Sequence, residues 1–141
     1  MNLFSKTITA TLIVAALLSN GACAKKVAFQ NSSVVPAARG DVKVTRDKNN
    51  NYVIKIQLDN LAEVKRLQTA KDIYLVWMTT DQDSTKNIGQ LISKTGFMSN
   101  KLNASFETVS PFKPKRIFIT AETNPNAQVP GDQIVLSTTQ F

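Results

Sequence analysis

Apolar and polar residues alternate along much of this chain with a period of two, as expected of strands that bury one face. From Asp41 onward Val42 and Val44 fall on one side, and Lys43 and Thr45 on the other. Asp47-Lys48-Asn49-Asn50-Asn51 breaks the run with residues that tolerate the left-handed conformations of turns. Tyr52, Ile54, Ile56 and Leu58 then alternate with Val53, Lys55, Gln57 and Asp59. The two runs predict a β-hairpin with one wet face.

Val27-Ala28-Phe29 reads as a short strand within an extended lead-in over 25–40, ahead of a β domain over 41–141. Asn60 and Glu63 stand at capping-box spacing, and Leu61, Val64 and Leu67 share a helical face. They predict a short helix or helical turn near 61–68, packed over the end of the domain. Ile73 to Met78, "IYLVWM", is continuously apolar and reads as a central strand buried on both faces, with Trp77 in the core. Val76 and Trp77 point to opposite faces, so one face of this strand could still be partly open. Asp81 to Asn87 is a polar turn, and Ile88 to Ile92 a strand with Gly89 inside it. Phe97, Met98 and Leu102 serve as apolar anchors, and Leu102 to Val109 continues the β pattern. Pro111 and Pro114 bracket the next connection, Arg116 to Glu122 is a strong strand, and Ile134 to Thr138 closes the domain. Between the last two strands, Asn124-Pro125 and Pro130-Gly131 are turn chemistry, so 123–133 reads mainly as a connection. Seven or eight short strands at this spacing predict an all-β fold, an antiparallel β-sandwich.

The N-terminus has a different pattern. Met1 to Lys6 carries one basic residue, and Thr7 to Leu18 is an apolar run shorter than the roughly 20 residues of a transmembrane helix. Asn20-Gly21 breaks any helix, and Ala22-Cys23-Ala24 has the small-x-small form of a cleavage site with Ala22 and Ala24 at its key positions. Residues 1–24 are therefore expected to be a signal peptide, and the protein extracytoplasmic, either periplasmic or secreted. The alternative is a cut before Cys23 with lipid attached to its sulfur, giving an inner- or outer-membrane lipoprotein. Asn20 stands where a lipobox usually has Leu. Cys23 is the one cysteine, so no disulfide can form within the domain and stability must come from packing.

The chain carries 17 Lys and Arg against 10 Asp and Glu. Such an excess either attracts anionic envelope surfaces or is an ordinary solvated exterior. Lys43, Arg46 and Lys48, the pair Lys65-Arg66, and the group Lys113, Lys115 and Arg116 are separate clusters without interleaved aromatics, which argues against nucleic acid. With no histidine, Ser-His-Asp and Cys-His mechanisms and His/Cys zinc sites are excluded. The five glycines are dispersed, so there is no phosphate loop, and neither Ser93-Lys94 nor Ser110 stands out as a nucleophile. Two carboxylates about 5–10 Å apart would suffice for a glycosidase, and Glu107 and Glu122 lie in strands that could be neighbours. The competing reading makes both solvent-face residues. Asp81, Asp83 and Asn87 offer calcium ligands, although Lys86 among them favours a plain polar turn. No cofactor, metal or catalytic residue is assigned. The candidate binding face combines loops 81–87 and 123–133 with Lys113, Lys115 and Arg116.

Tyr74, Val76 and Trp77, then Phe118, Thr120 and Glu122, then Pro130 and Val135-Leu136 form a recognisable series. Over roughly Tyr52 to Leu136 it resembles the C-terminal extracytoplasmic domain of anti-sigma-K-type regulators. The resemblance implies an immunoglobulin-like β-sandwich outside the cytoplasm. In that family a cytoplasmic anti-sigma domain and a transmembrane helix precede it. Here only Met1 to Lys6 precedes the apolar segment, and Asn124-Pro125-Asn126 replaces the glycine pair frequent in the family's final loop. The regulatory activity is therefore not carried over. The expected function is non-enzymatic: binding or sensing at a bacterial cell envelope, with an envelope protein or an anionic glycan as partner. A structural or adhesive envelope protein is the alternative, and a carboxylate-dependent glycan hydrolase ranks below both.

Overall fold

The computed structural model describes residues 23–95 and 102–141. Within them eight antiparallel strands form one curled sheet: β1 (Lys25–Ala28), β2 (Arg39–Arg46), β3 (Tyr52–Leu61), β4 (Ile73–Thr80), β5 (Thr85–Thr95), β6 (Leu102–Ser110), β7 (Pro114–Glu122) and β8 (Ile134–Ser137). Their order is β1-β2-β3-β6-β5-β4-β7-β8. β5 joins two layers, because Thr85 to Leu91 pair with β4 whereas Ile92 to Thr95 pair with β6. One layer therefore reads β1-β2-β3-β6 with the end of β5, and the other reads the start of β5 with β4-β7-β8. This is the strand order of an immunoglobulin-like sandwich with an added outer strand in each layer.

Gly89 sits shortly before β5 leaves β4, at a bulge opposite Val76 and Trp77, with φ of 146°. A side chain there would lie 2.7 Å from the Phe106 ring of β6. Only glycine accommodates both the backbone angle and the ring.

The core lies between the layers. Val42, Val44, Ile54, Ile56 and Leu58 face Tyr74, Val76, Met78, Ile117 and Ile119. Val42 pairs with Ile56 and Val44 with Ile54, so the period-two reading of the first hairpin holds residue by residue. Each such buried aliphatic side chain contributes about 1.5–3 kcal/mol. The turn is built on Asp47, whose Oδ1 accepts from the backbone N–H of Asn49 (2.8 Å) and Asn51 (2.9 Å), with Asn50 at φ 62°.

The helical turn expected near 61–68 is present, but without the expected cap. Asn60 does not cap a helix: β3 continues through Leu61, and Asn60 lies at φ 57° within a strand irregularity. After β3 the chain makes a single 3-10 turn, Val64–Arg66, preceded by Glu63, which makes no side-chain cap bond and pairs instead with Arg66 at 3.1 Å. Leu61 and Leu67 are still buried, and Val64 packs on the core. Residues 25–40 are built into the sandwich. β1 pairs with β2, Phe29, Val35 and Ala38 enter the core, and Phe29 bridges Thr138 beyond the end of β8. Gln30 N–H donates to Ser137 O (2.9 Å), and the Ser32 hydroxyl donates to Val135 O while accepting from Val35 N–H (2.9 Å). This strap closes the seam between the layers along β8.

The apolar leader with Ala22, and the anchors Phe97 and Met98, lie outside the described residues. Cys23 and Ala24 are exposed at the start of the described chain. Among the described residues no helix is long and apolar enough to cross a membrane.

Candidate functional site

The outer face of the second layer is buried, as the continuously apolar run of β4 leads one to expect. Leu75, Trp77 and Phe118 share this face and are buried, Trp77 completely, with the Trp77 and Phe118 rings stacked at 6.4 Å between centroids. Strand geometry alone would leave them in water. The cover is the 123–133 segment, which folds back over the face and packs Ala127 against this cluster.

A chain of hydrogen bonds holds the cover down. The Trp77 indole N–H donates to Thr120 Oγ1 (2.7 Å), and the Thr120 hydroxyl donates to Glu122 Oε1 (2.6 Å). The same carboxylate oxygen accepts from Gly131 N–H (2.7 Å). On the other side, the Asn87 side-chain amide donates to Pro125 O (3.2 Å) and Ala127 O (3.1 Å). The turn dipeptides noted in the sequence are present, but between them the segment forms a lid. Sequence reasoning missed this role. Its one available signal was an aromatic strand with apolar residues on both faces, which demands a cover on each side.

Between the lid and β5 runs a polar groove of about 640 Å³, with Thr85, Lys86, Asn87, Ile88 and Gly89 on one wall and Pro125, Asn126 and Gln128 on the other. The structure thus brings parts of the two expected loops, 81–87 and 123–133, to a common site. The three basic residues assigned to the same face do not gather there. Lys115 and Arg116 are neighbours in a strand and point to opposite faces. The Lys115 ammonium pairs with the Asp83 carboxylate. Arg116 stacks over the Phe118 ring at 5.2 Å, and its Nε donates to Ser137 Oγ (2.9 Å). Lys113 is exposed in the β6–β7 connection, and its carbonyl accepts from Asp81 N–H at 3.0 Å.

Glu107 and Glu122 are not on neighbouring strands. β6 carries Glu107 between β3 and β5, whereas β7 carries Glu122 between β4 and β8. Glu107 is an exposed partner of Lys55 at 3.8 Å, and Glu122 is engaged by the lid. Two carboxylates with separate partners on separate layers do not flank one bond as a glycosidase requires. Asp83, Asn87 and Asp81 also diverge, since Asp83 turns to Lys115 and Asn87 to the lid. Among the described residues no group of three or more His, Cys, Asp and Glu side chains converges.

A second concavity, of about 440 Å³, lies at the end of the sandwich where β1 and the C-terminal residues separate. Val44, Tyr52, Pro114 and Phe141 line it together with Lys25, Arg46 and Lys113. These residues come from five segments, so no contiguous motif announced them. Comparison with known proteins finds no matching family model, no matching curated protein and no matching solved structure.

Proposed function

We propose that this chain is a non-enzymatic binding or sensing module that works outside the cytoplasm at a bacterial cell envelope, with an envelope protein or an anionic glycan as its partner. The observation that carries the reading is the groove between β5 and the lid. Its walls present Thr85, Asn87, Asn126 and Gln128, which donate and accept hydrogen bonds, and Lys86 also lines it, with its ammonium group over the Phe112 ring at 4.7 Å. Such a lining suits a hydroxyl-rich ligand better than an apolar one. The lid fixes one wall through Asn87, so the groove is preorganised. The resemblance of the Tyr74 to Trp77 and Phe118 to Glu122 segments to outer domains of anti-sigma-K-type regulators supports the location and the immunoglobulin-like fold.

The adhesive alternative, acting through edge strands, has less support because the outer edge of β8 is already bonded by the 29–32 strap. The test is binding of the full chain to immobilised acidic envelope polysaccharide and to lipopolysaccharide, compared with Lys86→Glu and Asn126→Ala. Retention that falls with salt and is lost in Lys86→Glu supports the proposal. Retention unaffected by either change refutes this groove as the site. The mass of the mature N-terminus tests the location, since export predicts a start at Lys25 or a lipid-modified Cys23.

A further inference from the structure

We infer that the cleft at the end of the sandwich is a second binding site, one for an anionic amphiphile: a phosphate- or carboxylate-type head on an alkyl chain. Its apolar part is made by Val44 and Pro114, both buried, and by the half-buried Tyr52 and Phe141. Its charged part is made by Lys25, Arg46 and Lys113, contributed by β1, β2 and the β6–β7 connection. Among the described residues none of these three cations has a carboxylate within ion-pair distance. The Phe141 backbone is held by its N–H on Lys115 O (2.9 Å).

Arg46 is oriented in advance. Its guanidinium lies 4.4 Å from the centre of the Tyr52 ring, and Nη1 donates to the Tyr52 hydroxyl (2.8 Å). Its remaining N–H groups are in a fixed fork that suits a phosphate or carboxylate oxygen pair. Cations from three separate segments surround an apolar floor, and no carboxylate side chain lines the cleft; the acidic neighbour of Arg46 is Asp47, engaged by the turn. The complement is one molecule that brings negative charge and apolar surface together. A volume of about 440 Å³ admits such a head with several methylenes, and the remainder of the chain leaves through the open side. The head and tail can belong to a free fatty acid or alkyl phosphate, or to a membrane lipid.

The experiment titrates the isotope-labelled full chain with decyl phosphate below its micelle concentration and tracks individual backbone amides by NMR. Saturable shifts at Val44, Tyr52, Lys113 and Phe141 are expected, with binding at least tenfold weaker for inorganic phosphate and for decyltrimethylammonium. Removing two charge-assisted contacts in Arg46→Gln/Lys113→Gln is expected to weaken binding by about tenfold or more. Lys65→Gln, on the 3-10 turn, leaves it unchanged. If loss of the Arg46–Tyr52 contact unfolds the double variant, Lys25→Gln/Lys113→Gln serves instead, since both of those side chains are exposed. Co-sedimentation with phosphatidylglycerol vesicles, compared with phosphatidylcholine, separates the sources. Loss of sedimentation in the double variant assigns the site to membrane lipid, and decyl phosphate binding without it assigns a free amphiphile. Shifts confined to residues outside the cleft, equal binding of the cationic amphiphile, or an unaffected double variant overturns the inference.

Discussion

Trp77 donates its indole N–H to Thr120 Oγ1 at 2.7 Å across adjacent strands, on the face turned away from the core between the layers. Thr120 is fully buried and passes the interaction on to Glu122, which in turn holds Gly131 of the lid. Replacing Thr120 by Val keeps the volume and removes both bonds. An indole N–H left buried without an acceptor costs about 1–3 kcal/mol. Thr120→Val is therefore expected to lower stability by that amount in urea denaturation. Because Glu122 loses the Thr120 donor that orients it toward Gly131, the lid is expected to loosen, so that Trp77 emission moves toward the red and becomes accessible to acrylamide. An unshifted, unquenched Trp77 would show that the lid stays closed without the relay. By contrast, Glu107→Gln breaks only the exposed pair with Lys55 and is expected to change stability by less than about 1 kcal/mol.

Gly89 makes a sharper case. Alanine at this position must adopt φ of 146° and place Cβ 2.7 Å from Phe106 Cε2. Strain of this kind costs of order 1–3 kcal/mol for the backbone alone. Gly89→Ala is expected to destabilise by at least that much. Adding Phe106→Leu should recover part of the loss by relieving the ring contact, but not the part that belongs to the backbone. Full recovery in the double variant, measured by urea denaturation, would assign the whole effect to the ring.

The fold was legible wherever burial alternates strictly. The β2–β3 hairpin was read to the residue because Ile54, Ile56 and Leu58 on one face and Lys55, Gln57 and Asp59 on the other leave a single register. Asn60 misled because a residue suited to N-caps is equally suited to positive φ, and its tertiary setting decided for the latter. The lid was illegible for a different reason. Its hold on the sheet runs through Asn87, Thr120 and Glu122, polar residues whose partners are set by tertiary distance and not by spacing along the chain. The end cleft was hidden likewise, since Lys25, Arg46 and Lys113 meet only after β1, β2 and the β6–β7 connection are brought together. Trp77, Phe118, Thr120 and Glu122 form one contact set beneath the lid.

The first hairpin turn should respond to acid. Backbone N–H donation from Asn51, aided by Asn49, by the Asn51 side chain and by the charge of Arg46, holds the Asp47 carboxyl below its ordinary value of 3.8. A group depressed on folding stabilises the fold above its unfolded pKa and loses that contribution as the pH falls through the folded value. Stability should therefore decline below about pH 4 in the native chain and decline less in Asp47→Asn, which keeps an acceptor but does not titrate. A carboxyl-carbon NMR titration with Asp47 at or above 3.8 would remove the basis of this expectation.

At alkaline pH the corresponding residue is Tyr74. Its ring enters the core and its hydroxyl donates to Ala62 O at 2.8 Å, tying β4 to the chain just beyond β3. Burial pushes its ionisation well above the ordinary tyrosine value of 10.0. A group raised on folding contributes fully below its unfolded pKa, and that contribution is lost as the pH rises from there toward the folded value. Wild-type stability should thus fall above pH 10, with one tyrosine resisting ionisation until the protein unfolds. Tyr74→Phe removes the hydrogen bond and costs about 0.5–1.5 kcal/mol at neutral pH. It also removes the titrating group, so the gap between variant and wild type should narrow and then reverse between about pH 8 and 12. Urea denaturation across that range, read beside tyrosinate absorbance, checks both halves, and a gap constant with pH would mean that Tyr74 ionises in the folded protein as freely as in the unfolded one.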